Sequence, residues 1–230
     1  MDCNPWDAGF HFTPAEEKLM ESSDFLRFGL SHTVGVALIV FGMLSAAWAS
    51  TRPHWRRAVG GTLWWVTVLF SAHSYWVRRG TLTLANALPL HLCDLILMLS
   101  LLGLARVARG KPPGERLTEL LYYWGFGLSI HALVTPDLRD EFPHWRYLEF
   151  FWGHGLIFWS LACVVTVQGF PWSGTAAARS WLYVNVYLVV VSLLNWCFGW
   201  NYGYLCQKPI SGSFLDFMGP GPSTSWLQTC

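Results

Sequence analysis

Six stretches of about 20 mostly apolar residues follow one another along the chain, at 30–49, 58–77, 84–105, 117–135, 146–168 and 179–200. The hydrocarbon core of a bilayer is about 30 Å thick, and a helix crosses it in roughly 20 residues. Barrel strands would be about 10 residues long and alternate in polarity. A helix also satisfies its own backbone hydrogen bonds, which lipid cannot do. The pattern predicts an all-α polytopic membrane protein with six transmembrane helices in one bundle. The chain then divides into an N-terminal tail (1–29), a transmembrane domain (30–200) and a C-terminal tail (201–230) that caps the outer side.

Charge content agrees. Only 13% of the 230 residues are charged, against roughly 25% in soluble domains. That scarcity, with 53% hydrophobic residues, excludes a disordered chain and a basic nucleic-acid-binding surface. The six cysteines form no CxxC pair, so neither a zinc knuckle nor a thioredoxin-like site is indicated. A Cys3–Cys206 bridge is compatible with both residues lying in tails on one side. The first 29 residues lack an apolar run behind a basic segment, so no cleavable signal is expected. Segment 14–28 reads as a short interfacial helix or a mobile tail.

Orientation follows the Lys/Arg bias of short loops. Arg52, Arg56, Arg57, Arg106, Arg109, Lys111, Arg116 and Arg179 flank loops one, three and five. The opposite loops hold Arg78, Arg79, Arg139 and Arg146. Loops one, three and five are therefore expected in the cytoplasm and both termini outside.

Polar residues inside the spans are the candidates for chemistry, because an ionisable group in the membrane is costly. Asp94 is the carboxylate deepest in a span, whereas Glu119 and Arg179 fall in first turns from which they can snorkel. His91 precedes Asp94 by three residues, one face of a helix, so the carboxylate is expected to orient the imidazole. Pro89 marks a first turn or a kink there. Parity places His32, His73, His91, His131 and His154 in one leaflet half, together with Asp137, Asn195 and Asn201. His and Asp are also metal ligands, but no HxxxH pair occurs, and neither metal nor cofactor is expected. Cys93, or one of the hydroxyls of Ser71, Ser129 and Thr135, is available as a nucleophile for a histidine base. The same cluster also fits a non-enzymatic protein, a small transporter or an accessory subunit.

Four ordered motifs carry a family resemblance. Leu88-Pro89-Leu90-His91-Leu92-Cys93-Asp94-Leu95 resembles the LPLHLCxL signature of YwaF-like bacterial integral membrane proteins. Thr135-Pro136-Asp137-Leu138 resembles their TPDL turn, and Phe151-Trp152-Gly153-His154-Gly155 their F-x-x-H-G. Asn201-Tyr202-Gly203-Tyr204-Leu205, then Lys208-Pro209, Ser213, Leu215-Asp216 and Gly219-Pro220, resemble their C-terminal segment. The chain departs from the usual GPWPWY ending at Gly221-Pro222-Ser223-Thr224. The family is similar to a eukaryotic transmembrane acyltransferase that remodels ether phospholipids. In that enzyme the cysteine stands beside the histidine, at the position of Leu90 here.

The resemblance implies a bacterial plasma-membrane protein acting on phospholipid or lysophospholipid, as acyltransferase or hydrolase, with membrane lipids as partners. On that reading His154 is the general base or acid, His91 the second base held by Asp94, and Cys93 the nucleophile. His131, Asp137, Asn201, Lys208 and Asp216 would contact substrate, Lys208 as the anion contact.

Overall fold

The structure, a computed structural model, describes residues 25–206, and the regular elements among them are all helical. In chain order they are α1 (Leu30–Thr51), α2 (Pro53–Arg78), a single turn α3 (Leu84–Ala87), α4 (Leu92–Ala108), α5 (Glu115–Leu120), a π-helical segment (Leu121–Phe126), α6 (Gly127–Val134), α7 (Trp145–Gln168), α8 (Gly174–Phe198) and a 3₁₀ turn (Tyr202–Tyr204). Lys208, Asp216 and Cys3 lie outside the described residues. Of the expected helix at 14–28 only 25–28 are described, and they are not helical.

Three helices among the described residues, α1, α7 and α8, are long and apolar enough to cross a membrane. Six were expected, and each shortfall has a physical reason. Helix α2 has 26 residues, but Gly60, Gly61, Thr62, Thr67, Ser71, His73 and Ser74 dilute its apolar stretch. The third stretch is interrupted: α3 ends at Ala87, extended backbone follows, and α4 retains 17 residues. The fourth is a continuous helical run in three pieces, none of them long.

Helix α7 is the centre of the bundle. In its most apolar window 61% of the residues are buried inside the protein, against 22% for α1 and 11% for α8. Its Leu156, Ile157, Leu161, Cys163 and Val164 form one core with Ile96 and Leu104 of α4 and with Leu121 and Trp124 of the π segment. Helix α1 lies so close to α7 that only glycine fits at two positions. A Cβ on Gly35 would stand 2.5 Å from the Phe151 ring, and one on Gly42 would collide with the Trp159 indole. Small residues at a helix interface allow such approach, and Trp159 Nε1 donates to the Ile39 carbonyl at 2.9 Å. Helix α8 is peripheral, with Trp181, Val189, Leu193 and Trp196 outward.

Glu119 corrects the expectation of a snorkelling side chain. Its side chain is 3% exposed, and Arg179 at the start of α8 reaches both oxygens, at 2.7 and 3.2 Å. Arg116 adds a contact at 3.2 Å. The carboxylate thus fastens α5 to α8 inside the protein, where two guanidiniums offset its lost hydration.

Candidate functional site

The site begins at the break before α4. Between Ala87 and Leu92 the chain leaves helical geometry, and the backbone groups around this break need partners elsewhere in the protein. Three tyrosines supply them. Tyr75 donates to the Ala87 carbonyl at 2.8 Å, and Tyr187 to that of Leu90 at 2.7 Å. Tyr202 donates to Leu84 O at 2.7 Å and accepts from Leu88 N–H at 3.0 Å. Tyr202 is itself fixed by Asn195, whose amide accepts from its N–H at 3.0 Å and donates to its carbonyl at 2.9 Å. Helix α4 therefore starts at a determined place, with His91 as its cap and Cys93 and Asp94 in its first turn.

Cys93 meets His154 there. The thiol Sγ is 3.6 Å from His154 Nε2, across from α4 to α7. His154 Nδ1 lies 2.9 Å from the Phe150 carbonyl. A carbonyl only accepts, so Nδ1 carries the ring proton of the neutral imidazole and Nε2 turns its lone pair to the thiol. The Phe150 ring covers the imidazole at a centroid distance of 4.2 Å. The Ser129 hydroxyl of α6 is buried and has no hydrogen-bond partner among the described residues. A histidine in the required tautomer against a thiol is the arrangement that activates a cysteine nucleophile.

A cleft of about 180 Å³ opens onto this pair, bounded by α2, α4 and α7. Asp94, Ser71, Ser74, Arg78 and Glu149 also line it. Arg78 Nε stands 3.6 Å from Glu149 Oε1 and donates to the Ser74 carbonyl at 3.3 Å. Two carboxylates thus share the cleft with one guanidinium.

His91 departs from expectation. It caps α4 in extended conformation (φ −67°, ψ 141°), and it meets Asp94 through charge alone. Its Nδ1 accepts from Gly203 N–H at 3.3 Å, and its ring packs on Tyr202 and Tyr204. It makes no hydrogen bond or ion pair with Asp94 among the described residues, and it joins the C-terminal turn to α4. Asp94 enters the cleft without it.

The other expected contacts lie elsewhere. His131, Asp137 and Asn201 are not part of the cleft wall. Asp137 accepts from Tyr204 OH at 3.3 Å, and Asn201 accepts from Cys206 N–H at 3.1 Å. Burial and the Asp137 carboxylate push the Tyr204 phenol up to about 12, so it stays protonated and donating. His32 is buried with both ring nitrogens engaged, by Phe28 N–H at 2.8 Å and Leu133 O at 2.7 Å, and it is structural. His73 is exposed on α2 beside Trp76. No group of three or more metal-ligating side chains occurs among the described residues.

Sequence reading missed Ser74, Arg78 and Glu149 of the cleft. Two of them recur at helical spacing with a known member, Ser74 three and Arg78 seven residues beyond Ser71, whereas Glu149, five before His154, does not. The three tyrosines carried no such signal.

A model of the TMEM164 family, a transmembrane protein family, matches residues 27–227. The YwaF-like assignment goes beyond that match. No curated protein and no solved structure matches the chain.

Proposed function

The chain belongs to the TMEM164 family, and from that premise and the Cys93–His154 pair we propose that it is an integral membrane enzyme of phospholipid acyl chemistry, an acyltransferase or hydrolase. The 3.6 Å approach of Sγ to an unprotonated Nε2 carries the reading. His154 takes the thiol proton as the sulfur bonds to the carbonyl carbon of a fatty-acyl ester. The ester C–O bond then breaks, and the departing alcohol oxygen takes that proton from His154. The thioester passes its acyl group to a lysophospholipid hydroxyl, or to water, with His154 again accepting and returning the proton.

This reading includes six crossings. At 1.5 Å per residue, α2 spans roughly 39 Å and the run from Glu115 to Val134 roughly 30 Å. Helix α4 spans roughly 26 Å, with the break supplying the remaining depth. His154 then lies roughly 13 Å along α7, within reach of an ester beneath the headgroups. Loops one, three and five face the cytoplasm, by their Lys/Arg excess.

The test uses purified protein in liposomes with a phospholipid labelled in its acyl chain, with and without a lysophospholipid. The expected result is labelled fatty acid or a newly acylated phospholipid, lost in Cys93→Ala and His154→Ala, and a hydroxylamine-sensitive label on the Cys93 peptide. Acyl release that persists in both variants sinks the assignment.

A further inference from the structure

Helix α2 presents Thr67, Ser71, Ser74 and Arg78 at spacings of four, three and four, one helical face. The three hydroxyls Thr67 Oγ1, Ser71 Oγ and Ser74 Oγ are buried, and none has a hydrogen-bond partner among the described residues. Ser74 is only 6% exposed. A hydroxyl in a helix ordinarily turns to the carbonyl one turn back, as Ser100 does with Ile96 O at 2.8 Å. Leaving a buried donor unpaired is costly, and two of these three line the cleft that holds Cys93 and His154. The opposite wall is also rich in donors. Cys93 and Asp94 are the second and third residues of α4, and the first bond back to the cap is Leu95 N–H to His91 O. Their own N–H groups therefore have no helical acceptor, and the His91 side chain does not cap them.

A resident anion is a poor occupant. Asp94 and Glu149 outnumber Arg78 in the cleft, so net charge does not hold one. The donors suit a neutral group that becomes negative only during reaction. We propose that the Ser71 and Ser74 hydroxyls, with the free N–H groups opening α4, form the oxyanion-stabilising wall of this cleft for a fatty-acyl ester carbonyl. The inference rests on the acyl-transfer reading above. As Cys93 sulfur bonds to the carbonyl carbon, the C=O π pair moves to oxygen and those donors hold it. When the pair returns, the ester C–O bond breaks and the alcohol leaves with the His154 proton.

The substitutions carry a signature that packing alone does not produce. Ser74→Ala keeps the backbone carbonyl to which Arg78 donates, and removing an unpaired buried hydroxyl leaves stability unchanged or raises it. The test is the acyl-release assay on Ser71→Ala/Ser74→Ala in liposomes. It is read beside thermal unfolding and the iodoacetamide alkylation rate of the Cys93 peptide. The expected result is kcat lower by about a hundredfold, with KM for the phospholipid, the alkylation rate and the melting temperature not reduced. Ser71→Thr/Ser74→Thr keeps the hydroxyls and is expected to keep most of the activity. A kcat within about twofold of wild type in the alanine pair overturns the proposal and leaves the Cys93–His154 reading standing. Threonine variants as inactive as the alanine pair also overturn it, because the effect then lies in packing. Wild-type protein with no Cys93-dependent acyl release removes both.

Discussion

Both polar atoms of the Asn195 amide are committed to the backbone of Tyr202, and the Tyr202 hydroxyl in turn serves two backbone groups of the break at 84–91. The two side chains form one relay from α8 to the start of α4. Asn195→Ala leaves a buried N–H and C=O unpaired, which at roughly 1–3 kcal/mol each destabilises by about 2–6 kcal/mol. Tyr202→Phe removes the two bonds to Leu84 and Leu88 and is expected to cost about as much. Thermal unfolding in detergent measures the loss, and Cys93 alkylation reports whether α4 has lost its fixed start. A melting temperature unchanged in both variants contradicts the relay. These contacts were not legible in the sequence, because a tyrosine in a membrane protein reads as an interfacial anchor. Its hydrogen-bond acceptor 118 positions earlier leaves no local trace. Cys93, Asp94 and His154 were legible, since a polar group in an apolar run stands out. His91 and Asp94 stand at the cap and third position of α4 and act on each other by charge, with no hydrogen bond or ion pair between them among the described residues.

Helix α1 and helix α7 approach at Gly35 and Gly42, seven residues apart, where large rings of α7 fill the space a side chain would need. Gly42→Ala forces the indole of Trp159 aside and breaks its bond to Ile39 O. Overpacking of this kind costs about 1–3 kcal/mol, and the loss should appear as a lower melting temperature. Glycine to alanine within an exposed part of a helix normally stabilises instead, so a rise would contradict the tight interface. The helices themselves were legible from apolar run lengths to within a few residues at most ends. The interruption of the third stretch has a local signal, Pro89, which reads as a first turn or a kink, and extended backbone begins beside it at Leu88. What hid from the sequence was the fourth stretch, which reads as uniform yet changes winding at Leu121–Phe126. Hydropathy integrates over 20 residues and does not register a change in backbone geometry within them.

Viewed as one body, the protein is a core helix, α7, ringed by partners of unequal commitment, with α8 almost bare. The longer set of basic residues flanks loops one, three and five, and the cleft lies near the break and the C-terminal turn, between the last turns of α2 and the first turns of α4 and α7. Six crossings with loops one, three and five inside require the cleft on the outer side. Single cysteines introduced in a background lacking reactive native thiols test this with a membrane-impermeant maleimide on intact cells. A cysteine at Thr81 or Asp140 is expected to label from outside, and one at Lys111 or Ser173 only after permeabilisation. Labelling of Lys111 and Thr81 positions from the same side contradicts an odd number of crossings between them. The count of six was inferred from apolar length alone; polar dilution of α2 and interruption of the third and fourth stretches leave three helices among the described residues long and apolar enough to cross a membrane.

The π-helical segment bears on how the chain tolerates change in length. A π turn holds one residue more than an α turn needs, so Leu121–Phe126 can lose a residue and close into ordinary α-helix without a gap. Because the extra residue is taken up within that one wide turn, the positions after it keep their phase when it is removed; a residue lost from an ordinary α turn would rotate them by about 100°. Removal of Tyr122 is therefore expected to leave Leu133 of α6 in its core with Phe151 and Phe158 of α7 and to give a protein of normal helical content. At this segment the run tolerates a change in length that its α-helical turns do not.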